Sequence, residues 1–193
     1  LRLLMPLADQ AATALAGARN VAETRRLAAE LRQLLEMSSA LSRSLDPRDV
    51  ADLMASHLAQ AAGADEVHIS DWDRTEDRLR TLGSFPGVRL ADLDPYYPLE
   101  PYPVTRAVLD DQRLAILDAE DPAVDPAEAA RIRANGMRGL LMLPLVAKGD
   151  AIGLAALSFR GRPSDDPSRI TLLRTMAHEA AMALENARLY EFA

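Results

Sequence analysis

Apolar positions recur at different rhythms along this chain, and each rhythm predicts a different element. Residues 7–45 contain no Pro and only one Gly, and Ala, Leu, Arg and Glu dominate them. That composition favours helix. Leu27, Leu31, Leu34, Ser38, Leu41 and Leu45 follow a 4-3-4-3-4 spacing, which places them on one stripe. Leu7, Ala11, Ala14, Ala18 and Val21 make a second stripe, out of phase with the first around Thr24. Such stripes suit packing on the chain's own domain or pairing between chains. We expect the later half on the domain and the earlier half between chains.

A period of two takes over further on. In Glu66–Asp73, Val67 and Ile69 point to one side while His68, Ser70 and Trp72 point to the other. Arg74–Asp77 reads as a turn and Arg78–Phe85 as the paired strand, closed by Pro86-Gly87. The run from Gly139 to Phe159 is nearly continuous in apolar residues on both sides of Lys148-Gly149-Asp150. This predicts a hairpin of two strands covered on both faces, in the middle of a sheet. Pro144 cannot donate to a ladder, so a bulge or an unpaired edge is expected there. Gly153, with no side chain, is expected to let a helix approach the sheet closely.

Between and around these runs lie helix signals. Asp46-Pro47 starts a helix that carries Val50, Leu53, Met54, His57, Leu58 and Ala61 on one face and ends at Gly63. Residues 90–103 hold four prolines and three of the four tyrosines, Tyr96, Tyr97 and Tyr102, and read as an irregular loop. A short helix from about Val104 to Asp111, a strand over Arg113–Leu117 and a helix from Pro126 to about Asn135 follow. The last helix begins at Ser168, with Leu173, Met176, Ala180, Ala183, Ala187 and Tyr190 as its seam. Residues 1–22 laid on 170–191 match at nine positions. A repeat there would make the start of the chain the end of a preceding copy of the same domain.

Composition mainly removes options. The 193 residues carry a net charge of −7 with no basic run, which argues against nucleic acid and anionic membrane as partners. There is no cysteine, so disulfides, thiolate metal sites and thiol catalysis are excluded. No apolar stretch is long enough for a membrane-spanning helix. The first residues, Leu1-Arg-Leu-Leu-Met-Pro, lack the pattern of a signal peptide, so we expect a piece of a longer cytoplasmic protein.

Three segments in order resemble the GAF domain family: Asn135-Gly-Met-Arg-Gly-Leu-Leu-Met-Leu-Pro-Leu-Val, then Gly149-Asp-Ala-Ile-Gly-Leu-Ala-Ala-Leu, then Ala180-Ala-Met-Ala-Leu-Glu-Asn-Ala-Arg-Leu-Tyr-Glu191. The resemblance covers residues 38–191 and leaves 1–37 as a helical linker. It implies an α+β fold, GAF/profilin-like, with a central antiparallel sheet, a helical bundle on one face and a pocket on the other. It also implies a non-catalytic sensory module of a bacterial signalling protein, with a small-molecule ligand and a parallel homodimer. The effector would lie in the same parent chain, for example a histidine kinase, a diguanylate cyclase or a phosphatase. The Asn-Lys-x-x-x-Phe-x-x-x-Asp-Glu motif of cyclic-nucleotide-binding members is missing. Bilin attachment and methionine sulfoxide reduction in the family use Cys, which this chain lacks.

The candidate ligand-binding residues are His68, Ser70, Trp72, Tyr96, Tyr97 and Tyr102. Rigid amphipathic rings in a chain only 4% aromatic suit a binding site, although they also serve as a plain cover for a sheet. His68 reads as a hydrogen-bonding group, as a satisfied core histidine or, as in haem-binding relatives, as an iron ligand. Asp71/Asp73 and Asp165/Asp166 lack a ligand-spaced His and read as turn chemistry. His178-Glu179 lacks the residues that follow a kinase phosphoacceptor. No catalytic constellation emerges, and no cofactor is identified. The alternatives to a sensor are a structural dimerisation spacer with a closed pocket and a small-molecule enzyme on the same fold.

Overall fold

The computed structural model describes residues 4–41, 46–87 and 96–191, and in the first helix the side chains of residues 15, 17–32, 34 and 35. The chain divides into two units, Leu1–Glu36 and Met37–Ala193.

The first unit is helical and belongs to α1 (Leu4–Leu41). Arg26 bridges Glu23 at 2.8 Å and Glu30 at 3.0 Å along its surface. Leu27 and Leu31 of the expected stripe are 52% and 58% exposed, while Leu34 is half-buried; Leu35, beside the stripe, is 61% exposed. The side chains of Ser38, Leu41 and Leu45 lie outside the described residues, as do those of the earlier stripe before Leu15.

The second unit is built on a six-stranded antiparallel sheet. Its strands are β1 (Glu66–Asp73), β2 (Arg78–Phe85), β3 (Tyr96–Pro98), β4 (Ala115–Asp118), β5 (Gly139–Ala147) and β6 (Asp150–Phe159), in the order β3-β2-β1-β6-β5-β4. The fold is α+β, as expected. The apolar hairpin β5–β6 occupies interior positions, joined by Lys148 and Gly149 with φ of 54° and 90°. Both turn residues in the left-handed region define a primed two-residue turn, whose twist matches the strands.

Helices α2 (Pro47–Ala62) and α5 (Pro167–Glu191) cover one face. Asp46 caps α2 by accepting from Arg48 N at 2.8 Å, and Gly63 ends it at φ 67°. The buried face of α2 is turned toward its alanines. Ala51, Ala55, Ala59 and Ala62 are buried, whereas Leu53, His57 and Ala61 of the expected face are only half-buried. α5 buries Leu173, Met176, Ala177, Ala180, Ala181, Leu184 and Ala187. The other face carries α3 (Pro103–Asp111) and α4 (Pro126–Ala134).

Of two expectations for the hairpin, one holds and one is corrected. Pro144 pairs with Leu154 of β6 but lies past the last β4 pairing at Ala115 and Met142, so its other edge is unpaired as expected, and the irregularity falls one residue later, between Leu145 and Val146. Gly153 faces a strand and not a helix: a Cβ there would lie 2.1 Å from the Ser70 carbonyl oxygen of β1. Gly83 is where the helix comes close, because a Cβ there would lie 2.5 Å from Asp52 N in α2. The Asp52 carboxylate accepts from Ser84 N at 2.9 Å and fixes that approach.

Candidate functional site

Alternation along three neighbouring strands generates the site. On β1, Val67 and Ile69 are fully buried toward the α2/α5 side, and Glu66, His68 and Ser70 take the other side. Their cross-strand partners on β6 are Ser158, Ala156 and Leu154, and beyond them on β5 lie Leu140 and Met142. These residues floor a cavity of about 390 Å³. Leu79 and Thr81 of β2, Tyr96 and Tyr97 of β3, and Arg131, Ile132, Asn135 and Met137 in and after α4 complete its wall. The volume lies within the usual range of small-molecule pockets, roughly 300–1,000 Å³.

Space is left because part of the floor, Ser70, Ala156 and Ser158, is small. Ser158 and Ala156 stand where longer side chains would reach α4. Larger residues close the cavity's far side, where Leu79, Leu140, Met142 and Leu154 join a buried cluster with Val108, Leu109 and Ile132.

The polar groups are arranged around Arg131. Its Nη1 donates to the Tyr97 hydroxyl at 2.6 Å, and its guanidinium carbon lies 3.8 Å from the Tyr97 ring centroid. Tyr97 in turn stacks on Tyr102, with centroids 4.6 Å apart and planes 18° from parallel. Burial pushes the Tyr97 phenol well up, so it stays neutral. His68 Nε2 lies 3.9 Å from Glu66 Oε2. Burial lowers the His68 pKa below its ordinary value; Glu66 opposes this and the Arg131 charge adds to it. At neutral pH the imidazole is therefore uncharged and offers one donor and one acceptor. Glu128, one turn before Arg131, is fully buried and accepts from Thr105 N at 2.8 Å and Thr105 Oγ1 at 2.9 Å.

Of the residues predicted from the sequence, His68, Ser70, Tyr96 and Tyr97 line the cavity. Trp72 and Tyr102 do not. Trp72 packs against the buried cluster with Arg74 4.4 Å above its ring, and Tyr102 stacks on Tyr97 with its ring centroid 5.4 Å from the Arg131 guanidinium carbon. Tyr96–Pro98, expected as irregular loop, forms β3 against Arg78–Arg80 of β2. Residues 90–95 of that expected loop lie outside the described residues. Arg131 and Asn135 were not anticipated. They are four residues apart and share a helix face, a spacing visible in the sequence but without meaning until α4 is placed over the sheet.

The opposite face ties the sheet to α5. Asp71, next to Ser70, accepts from Arg80 Nη2 at 2.7 Å and lies 3.5 Å from Arg188 Nη2. Burial lowers the Arg188 pKa, and Asp71 opposes that shift. Lys148 at the hairpin tip reaches Glu185 at 3.2 Å. Among the described residues no cluster of His, Asp and Glu is arranged to hold a metal ion, and no helix is long and apolar enough to cross a membrane.

This architecture, with a cavity under α4 and a two-helix layer behind the sheet, has a counterpart at the level of sequence. A family model described as "GAF domain" matches residues 44–185. The chain belongs to the GAF domain family. Similar solved structures include the chromophore-binding domain of an unusual bacteriophytochrome from R. palustris, at 14% identity and a TM-score of 0.68. That match covers 84% of this chain and 63% of the bacteriophytochrome chain, so this GAF chain spans under two thirds of it. The phycoerythrobilin-bound GAF domain of a cyanobacterial phytochrome matches at 15% identity and a TM-score of 0.68, covering 84% of this chain and 97% of that one. The GAF domain of an Acinetobacter phosphoenolpyruvate-protein phosphotransferase matches at 15% identity and 0.65, covering 82% and 94%. These similarities establish the fold. No curated protein matches the chain significantly by sequence.

Proposed function

We propose that this GAF domain is a non-catalytic sensory module of a bacterial signalling protein, binding a small molecule and relaying its presence through helices. The observation that carries the reading is the cavity of about 390 Å³, floored by the small residues Ser158 and Ala156 and walled by both polar and apolar side chains. A spacer with no ligand would have reason to fill that volume, because cavities in cores are destabilising. The similar phytochrome domain holds phycoerythrobilin. A thioether-linked bilin does not suit this chain, which has no cysteine.

The relay follows from one strand. Ser70 faces the cavity and Asp71, the next residue, faces Arg188 of α5 at 3.5 Å. A ligand that shifts β1 therefore acts on the ion pair that holds the last turns of α5. Bare leucines on α1 fit a second copy of the chain in a parallel homodimer, since isolated amphipathic helices are marginal in water. The effector then lies elsewhere in the parent protein, in the cytoplasm.

The test is an amide-shift screen of the purified protein against a library of metabolites of mixed charge. Perturbations gathered on His68, Ser70, Tyr97 and Asn135 support the reading. Perturbations confined to α2 and the outer surface of α5, or none from any compound, overturn it.

A further inference from the structure

We infer that the cavity recognises a small monocarboxylate with an apolar body, whose carboxylate is bound by Arg131. This inference rests on the sensory reading and adds the ligand's chemical class.

Arg78, Arg80, Arg106, Arg138 and Arg188 each meet a carboxylate. Arg131, half-buried in the cavity wall, meets none among the described residues. The nearest acid along its helix, Glu128, turns one oxygen to Thr105 and leaves the other buried without a hydrogen-bond partner, and Glu66 lies beside His68. A guanidinium carries five N–H donors, and among the described residues the one hydrogen bond of the Arg131 guanidinium runs from Nη1 to Tyr97. The remaining donors are available to the cavity.

The guanidinium is also held in place before any ligand arrives. The Arg131 guanidinium carbon lies 3.8 Å from the Tyr97 ring centroid and 5.4 Å from that of Tyr102, so the two mutually stacked rings hold it from one side. A pre-oriented planar fork matches the two oxygens of a carboxylate, and little side-chain freedom is lost on binding. Asn135, one turn along α4, adds an amide to the same wall.

Charge balance selects among anions. Among the described residues the cavity presents one cation, an uncharged His68 and the acidic Glu66. One negative charge is neutralised by Arg131, whereas a second would face Glu66 without a partner, so a phosphate dianion is disfavoured. The apolar part of the floor, Leu140, Met142, Leu154 and Ala156, suits an aromatic or aliphatic body.

Three acid–amide pairs test the inference: benzoate with benzamide, indole-3-acetate with indole-3-acetamide, and hexanoate with hexanamide. Affinities are read from amide and Arg131 side-chain shifts in the intact chain. In at least one pair the acid should bind at the cavity ten-fold or more tightly than its amide. Arg131→Met should erase that preference, and Arg131→Lys should keep part of it. The acid-to-amide ratio of the unaltered protein needs no variant, so a poorly folded substitution does not spoil the test. Equal affinities within all pairs, no binding by any acid, or inorganic phosphate outcompeting the acids at Arg131 overturns the inference. The sensory reading survives those outcomes if neutral or cationic metabolites perturb the cavity. It fails only if no compound does.

Discussion

The two faces of this sheet are made by alternate residues of the same strands, yet they are built to opposite ends. Under α2 and α5 the cross-strand rows are Val67–Leu157–Leu141 and Ile69–Ala155–Leu143, none more than 1% exposed. One residue along, the rows read Glu66–Ser158–Leu140 and His68–Ala156–Met142 and floor a cavity. The first face is closed by branched aliphatic side chains that fill the gap to the helices. The second mixes small and polar residues with large apolar ones, so the layer above cannot close on it. Stability and recognition are thereby separated by a single step along the backbone.

The comparison is broken most directly by exchanging volume between faces. Leu157→Ala should lower unfolding free energy by about 2–5 kcal/mol, because it opens a void in the filled layer. Its neighbour change Ala156→Leu grows into the cavity and should alter stability by under about 1.5 kcal/mol while abolishing ligand-induced shifts. Urea denaturation measures both, and comparable losses would show that the faces are equally packed. A second contrast uses Ser70 and Asp71. Removing the carboxylate with Asp71→Ala leaves half-buried Arg188 without its ion-pair partner on the sheet, with only Glu185 of its own helix near it, and should cost about 1–3 kcal/mol. Ser70→Ala should stay within about 0.5–1 kcal/mol.

Acid sharpens the contrast further. His68 has a folded pKa below its ordinary value, so the unfolded chain takes up the proton first. Its contribution is fully present above about pH 6.5, the unfolded value, and is lost as pH falls toward the lower folded one. Thermal unfolding between pH 7.5 and 5 should therefore show a steeper decline for the native chain than for His68→Gln. Identical slopes would remove His68 from the desolvated wall. The smallest stability effect is expected on α1. Leu27→Lys with Leu31→Lys should change unfolding of the sheet-bearing unit by less than about 0.5 kcal/mol. The same pair should convert the proposed dimer to monomer in equilibrium sedimentation; a monomeric native chain at high micromolar concentration would end the dimer proposal.

What the sequence made legible was whatever depends on local rhythm. Val67 and Ile69 against His68 and Ser70 sort by strand parity alone, and Asp46-Pro47 announces α2 through capping chemistry. His68 and Ser70 were readable as wall candidates from that parity, and Tyr96 and Tyr97 from the clustering of rare aromatic rings beside prolines. Arg131 and Asn135 were hidden because a nine-residue helix rich in Ala and Arg has no marked apolar face, and only its docking over β1 and β5 decides which side looks inward. Trp72 kept the predicted parity but stands beside Leu79 at the far end of the strand pair, where the buried cluster and Arg74 claim it. Gly153 illustrates a subtler limit. A missing side chain signals a close approach, but the sequence does not name which neighbour approaches.

The seam between α2 and α5 carries a mechanical consequence. Both helices bury many alanines, Ala51, Ala55 and Ala59 on one and Ala177, Ala180 and Ala181 on the other, among larger residues such as Met54, Leu58 and Leu184. Alanine has no side-chain torsion to reset, so each alanine pressed between the helices is a smooth spot in their contact. An axial slip of α5 by a fraction of a turn disturbs contact area there without forcing rotamers to change. Leucines at the same positions would interlock as teeth and hold the helix in one register.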